Sequence, residues 1–179
     1  MIPNIITTVR LGLIPLFVYF MLGKHNYIIA ALIFVACGAL DVLDGFIARK
    51  FKMGTDFGKI YDPFVDKLVQ ITALVCLVLE HLIPVWLLII VCVKEGLMIL
   101  VGGILYLKNI VVHSNWYGKA CTVLFYIIVF AIIVWTKISG GIPAPWLTGL
   151  CVVMVLAMVC SAVAYFVDIV KHYDEKRVG

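Results

Sequence analysis

Long apolar runs, broken by short polar stretches, organise this chain from one end to the other. Six can be marked off, at residues 5–22, 27–48, 60–79, 84–107, 116–135 and 146–170. A helix needs about 20 mostly apolar residues to cross the hydrocarbon core of a bilayer, and each run has about that length. The breaks fall where turn-forming residues are densest: Gly23-Lys24-His25-Asn26, the stretch 50–58, Glu80 to Pro84, the stretch 108–115, and Ser139 to Pro145 with its Gly140-Gly141 pair. Trp86, Trp116, Trp135 and Trp146 stand near run ends, as interfacial aromatics do. The pattern predicts an all-α integral membrane protein of six transmembrane helices, with residues 1–179 forming a single domain.

Composition agrees. Hydrophobic residues make up 65% of the 179 and charged residues 13%, about half the share of a soluble domain, and mean hydropathy is +1.17. The first residues lack the basic start of a secretory signal, and no small-residue cleavage site follows the first run, so that run is expected to be a retained helix. Six cysteines lie scattered in apolar stretches without paired metal-ligand spacing and read as small buried hydrophobes. The net charge of +4 is modest, and no nucleic-acid partner is expected.

The distribution of that charge is more informative. Arg49, Lys50, Lys52 and Lys59 crowd the second connection, Lys108 and Lys119 the fourth, and Lys171, Lys176 and Arg177 the tail, whereas only Lys24 and Lys137 fall near the other three. Basic residues concentrate on the cytoplasmic side. Both termini and the second and fourth connections are therefore expected to face the cytoplasm.

One stretch breaks the apolar rule. A charge at the bilayer centre costs roughly 2.5–3.5 kcal/mol on insertion scales, yet Asp41 and Asp44 close the second run and Asp62 and Asp66 open the third. Separations of three and four residues put each pair on one helix face. Antiparallel neighbours joined by a short loop would bring the pairs together, where four carboxylates repel unless cations sit between them. With oxygen donors and no His or Cys in the stretch, the expected ion is Mg²⁺, Mn²⁺ or Ca²⁺. Gly45, Gly54 and Gly58 permit close backbone approach to a ligand, and Arg49 is suited to fork onto phosphate oxygens. Together these describe a diphosphate site at the membrane–cytoplasm boundary. The plainer alternative is an ion-paired loop capping two helices.

Asp41-Val42-Leu43-Asp44-Gly45-Phe46-Ile47-Ala48-Arg49, eight further residues, and Gly58-Lys59-Ile60-Tyr61-Asp62-Pro63-Phe64-Val65-Asp66 resemble the signature D-x-x-D-G-x-x-A-R-x8-G-x-x-x-D-x-x-x-D of the CDP-alcohol phosphotransferases, with every fixed position present. The resemblance implies an enzyme of phospholipid biosynthesis. It would transfer the phosphatidyl group of CDP-diacylglycerol to an alcohol and release CMP. It implies two divalent ions, Mg²⁺ or Mn²⁺, held by Asp41, Asp44, Asp62 and Asp66, with Asp66 also the general base. Gly45, Ala48, Arg49 and Gly58 would line the cytidine-diphosphate pocket. Asn4, Thr7 and Arg10 resemble the family's N-terminal N-x-x-T-x-x-R, which touches that pocket too. A homodimer is also what the resemblance suggests.

The acceptor is less legible. Lys94 and Glu95, mid-way along the fourth run, resemble the Arg-Glu of the family's phosphatidylglycerophosphate synthases, but Gly102 stands where those enzymes carry a further Arg. Lys119, in Tyr117-Gly118-Lys119-Ala120, matches a Gly-Lys used near the acceptor. Lys94 and Lys119 are the expected acceptor-binding residues. Glycerol 3-phosphate is the favoured acceptor, and phosphatidylglycerol, which would make the protein a cardiolipin synthase, the alternative. Asp56 and Asp168 are expected to lie outside the site. A divalent-cation transporter is the rival of another class; clustering of the carboxylates near one membrane face, beside glycines and Arg49, speaks against it.

Overall fold

The computed structural model describes the backbone of residues 2–51, 56–107 and 116–178, and the side chains of residues 6–43, 64–101, 120–164 and 166–167. Six α-helices and no strand occur among the described residues: α1 (Ile2–Val18), continued by a single π-helical turn (Tyr19–Gly23), α2 (Tyr27–Phe51), α3 (Asp56–Leu79), α4 (Val85–Leu107), α5 (Trp116–Ser139) and α6 (Ala144–Val178). The six runs correspond to the six helices. In an apolar solvent every backbone N–H and C=O must be paired within its own segment, and helices satisfy that requirement.

The polar stretch between α2 and α3 is more helical than its turn residues imply. α2 continues through Arg49 to Phe51 and α3 begins at Asp56. Asp44, Gly45, Ala48 and Arg49 are therefore helical residues of α2, and Asp56, Gly58 and Asp62 of α3; Gly54 lies outside the described residues.

Ile6–Gly23, Ala120–Ser139 and Ala144–Ala164 are long and apolar enough to cross a membrane, and Tyr27–Leu43 is a shorter apolar stretch. Outward faces are apolar as well: Leu32, Leu100, Ile138 and Phe166 are all more than 60% exposed. A water-soluble surface does not carry such a continuous apolar face; a lipid-facing one does. The cysteines divide on the same ground. Cys37, Cys76 and Cys151 are buried and Cys121 partly so, but Cys92 and Cys160 are exposed. The expectation of six buried cysteines thus fails for two, because lipid and protein interior favour the same apolar residues.

The helices form a ring in the order α1, α2, α5, α6, α4, α3 and back to α1. Consequently α2 and α3, neighbours in sequence, meet only sparingly among the described residues, and α1 packs against both. Small residues admit these close contacts: Ala30, Ala31 and Ala73 are fully buried. An aromatic seam joins α1, α2 and α5, with Phe17–Phe34 centroids 5.9 Å apart and Phe34–Tyr126 4.7 Å apart. At the far end from the aspartates, Trp135 of α5 stacks on Trp146 of α6 at 6.3 Å.

That far end has its own polar clasp. The turns after α1 and α3 contain His25 and His81 at φ +47° and +57°, a left-handed conformation costly for residues with a Cβ. Glu80 ties the first turn to the second, accepting from Tyr27 Oη at 2.7 Å and lying 3.0 Å from His25 Nδ1. Hydrogen bonds to a charged group are worth about 1.5–3 kcal/mol. Glu80→Leu is expected to lower the apparent melting temperature of the detergent-solubilised protein by about 5 °C. Turnover should be unchanged, since Glu80 lies roughly 21 Å along α3 from Asp66. A thermal-shift series with a parallel activity assay checks both halves.

Candidate active site

The wedge of α1 between α2 and α3 places a buried cation between two of the aspartates. Arg10 is fully buried, and its Nη1 lies 2.7 Å from Asp41 Oδ1 and 3.9 Å from Asp66 Oδ1. Its Nε and Nη2 have no hydrogen-bond partner among the described residues. A guanidinium carries five donors in a rigid fork, so this one keeps donor capacity beyond its Asp41 contact. Thr7, one turn earlier on α1, is also fully buried. Asp41 and Asp66, one from each pair, thus meet through Arg10 of α1, an element that the expectation of two adjoining chain neighbours did not include.

Asp66 is engaged on both oxygens. Gln70 Nε2 donates to Oδ2 at 2.9 Å, and Tyr126 Oη comes within 3.5 Å of Oδ1. Tyr126 can come this close because Gly38 faces its ring: a Cβ at Gly38 would stand 2.9 Å from Tyr126 Cδ1. The Tyr126 ring also packs on Phe34, one turn before Gly38.

Next to Lys67 and Gln70, on the turn of α3 that follows Asp66, lies an open cavity of about 220 Å³ lined from α3, α4, α5 and α6. Its polar wall comprises Lys67, Gln70, Lys94, Glu95, Thr122 and Ser161. Glu95 is almost wholly buried and sits between two ammonium groups, with Lys94 Nζ 2.7 Å from Oε1 and Lys67 Nζ 2.9 Å from Oε2. A buried carboxylate is tolerated only when paired in this way.

A family model described as CDP-alcohol phosphatidyltransferase matches residues 1–170, nearly the whole chain. The chain belongs to the CDP-alcohol phosphatidyltransferase family. It is therefore a phosphatidyltransferase of the membrane, and the transporter reading is set aside. Similar proteins include a CDP-diacylglycerol–glycerol-3-phosphate 3-phosphatidyltransferase of Bacillus subtilis, 33% identical over 68% of this chain and 70% of that protein. A protein of the same description from Pseudomonas fluorescens is 44% identical over 45% of this chain and 42% of its own length. A CMP-forming cardiolipin synthase of Streptomyces coelicolor is 32% identical over 68% of this chain and 59% of that protein. Against the last two, the chain matches less than two thirds of the relative.

Of the residues expected at the site, Asp41, Asp66 and Thr7 lie with Arg10 where α1, α2 and α3 meet, and Lys94 lies in the adjoining cavity wall. Asn4 on α1, Asp44, Gly45, Ala48 and Arg49 on α2, Gly58 and Asp62 on α3, and Lys119 on α5 have side chains outside the described residues. No group of three or more metal-ligating side chains occurs among the described residues.

The donor chemistry near Arg10 fits the divalent ion the family implies. Both described carboxylates offer hard oxygen, no thiol or imidazole stands among the four aspartates in sequence, and Asp41 keeps about a third of its side-chain surface exposed. Sequence reasoning missed Lys67, Gln70, Tyr126 and Gly38. Gln70 had a usable signal: a polar residue one turn beyond Asp66 in an apolar helix.

Proposed function

We propose that this protein transfers the phosphatidyl group of CDP-diacylglycerol to glycerol 3-phosphate and releases CMP. The observation carrying this reading is that Gln70, in the wall of a cavity that holds two lysines, donates to Asp66, which Arg10 joins to Asp41. A carboxylate base and a cationic acceptor pocket thus lie side by side inside a lipid-embedded helix bundle. The glycerol-3-phosphate phosphatidyltransferases among its relatives support the same choice.

In this reading Asp41, Asp44, Asp62 and Asp66 hold two divalent ions, Mg²⁺ or Mn²⁺. Bound there, the ions supply charge neutralisation for the diphosphate and for the departing CMP. Arg10 holds Asp41 and Asp66 close together despite their like charge. Gly45, Ala48, Arg49 and Gly58, with Asn4 and Thr7, bind the cytidine diphosphate. Asp66 takes the proton of the acceptor hydroxyl. The hydroxyl oxygen forms a bond to the phosphorus that bears diacylglycerol as the bond from that phosphorus to CMP breaks. Lys94 and Lys119 bind the acceptor phosphate, with the cavity receiving its glycerol end. At about 220 Å³ the cavity is smaller than the roughly 300–1,000 Å³ of sites for drug-sized ligands, which suits a compact polar acceptor.

The concentration of Lys and Arg in the second and fourth connections supports an active site and termini facing the cytoplasm. The apolar outer faces of α2 to α4 support six spans, and pairing of two copies into a homodimer would cover part of those faces.

A second reading takes phosphatidylglycerol as acceptor, which would form cardiolipin. The shared hold of Lys67 and Lys94 on Glu95 favours it, because a cavity whose lysines are already paired suits a phosphodiester monoanion better than a phosphomonoester dianion. An acceptor screen with purified protein, CDP-diacylglycerol and thin-layer separation of the lipids decides. Phosphatidylglycerophosphate is expected with glycerol 3-phosphate; cardiolipin from phosphatidylglycerol, with glycerol 3-phosphate ignored, would replace the first reading by the second.

A further inference from the structure

A carboxylate that must collect a proton from an incoming hydroxyl works only if its plane is held. Asp66 sits on α3 with Tyr126 Oη at 3.5 Å from one oxygen, and Gln70, one turn on, holds the other at 2.9 Å. Gln70 is 3% exposed, donates from Nε2 to Asp66 Oδ2 at 2.9 Å, and places Oε1 3.5 Å from Lys67 Nζ. Its amide can adopt only this orientation. The reverse would set the amide oxygen against a carboxylate and the amide NH₂ against an ammonium, two repulsive contacts in place of two attractive ones. Lys67 is in turn fixed by Glu95, and Glu95 by Lys94. A buried amide without partners is costly; here the cost is offset by a chain of charge-assisted contacts that begins in the cavity wall and ends on Asp66. Gln70 also lines the cavity itself, and so stands between the base and the space for the acceptor.

We propose that Gln70 is a positioning residue for phosphatidyl transfer, its buried amide pinning Asp66 from the wall of the acceptor cavity. This rests on the function proposed above. A hydrogen bond to a charged group corresponds to about a ten- to hundred-fold effect. Gln70→Met keeps length and volume and suits an apolar helix, but offers no donor. It should lower kcat by about ten-fold or more while leaving the KM for CDP-diacylglycerol as it is, with a fall in melting temperature no larger than that of Glu80→Leu. Gln70→Asn, whose amide falls one methylene short of Asp66, should lose rate similarly, and serves if the methionine variant does not fold. The coupling to Asp66 is read from a double-mutant cycle: with Asp66→Asn already present, Gln70→Met should cost little more.

Wild-type kcat in both Gln70 variants would overturn the proposal, as would full additivity with Asp66→Asn. A loss shared equally by kcat, KM and melting temperature would overturn it too, by marking Gln70 as merely structural. If the unaltered enzyme itself transfers nothing from CDP-diacylglycerol, the functional reading has failed and the proposal falls with it. If the unaltered enzyme is active and the variants match it, only the role of Gln70 falls.

Discussion

Asp66→Asn is expected to lower turnover by roughly 10²- to 10⁴-fold, the range for loss of a positioned general base. Asparagine matches aspartate in size and keeps one oxygen to accept from Gln70 Nε2, while its NH₂ can donate to the Tyr126 hydroxyl oxygen, so the site should keep its shape. It cannot take the acceptor proton, and it carries no charge with which to hold a divalent ion. The KM for CDP-diacylglycerol should change far less than kcat, because the residues proposed to bind the cytidine diphosphate lie elsewhere in the motif. Steady-state kinetics of CMP release measures both, and near-normal turnover in this variant would remove Asp66 from the role of base.

Arg10→Met should be the most damaging change to the fold near the site. The guanidinium is fully buried and lies 2.7 Å from Asp41 and 3.9 Å from Asp66. Its removal leaves two carboxylates facing each other without the cation that joins three helices. Removing one partner of a buried ion pair costs about 3–5 kcal/mol. Asp41 is about one third exposed, so solvent screening brings the loss to the lower end of that range, a fall in melting temperature of roughly 6–10 °C for a chain of this size. Arg10→Lys restores the charge without the fork and should recover part of the stability but little of the rate. Thermal unfolding in detergent, with metal chelated so that bound cations do not replace the missing charge, reads the effect. A melting temperature equal to that of the unaltered protein would show that Arg10 does not hold the aspartates together.

The helices were legible because the bilayer sets their length, and the turn residues at Gly23–Asn26 and Ser139–Pro145 mark their ends. The motif from Asp41 to Asp66 was legible because charge in an apolar chain requires a reason. Ring order was not. α2 and α3 are joined by a short connection, and nothing in their residues says that α1 packs against both and that Arg10 enters between the aspartates. Lys67 and Gln70 were hidden by their neighbour: the signature ends at Asp66, although a lysine and a glutamine within the next turn of an apolar helix carry the same physical message. Tyr126 and Gly38 had no local signal, since their contact joins α5 to α2 across long sequence separation. One glycine of the motif posed the opposite problem. Gly58 read as a loop residue of the 50–58 break, yet it is helical, whereas Gly45 already lay within the run 27–48.

The central claim is that this chain moves a phosphatidyl group in one metal-dependent step. The direct test is to reconstitute purified protein in vesicles with CDP-diacylglycerol labelled separately in the cytidine and acyl portions. Glycerol 3-phosphate is then added, and both products are counted with EDTA present and after excess Mg²⁺ or Mn²⁺ is restored. The predicted result is one CMP released for each labelled phosphodiester lipid formed, with both products absent under EDTA and both restored by the ion. CMP release without a matching lipid product, or full transfer in thoroughly chelated vesicles, would contradict it.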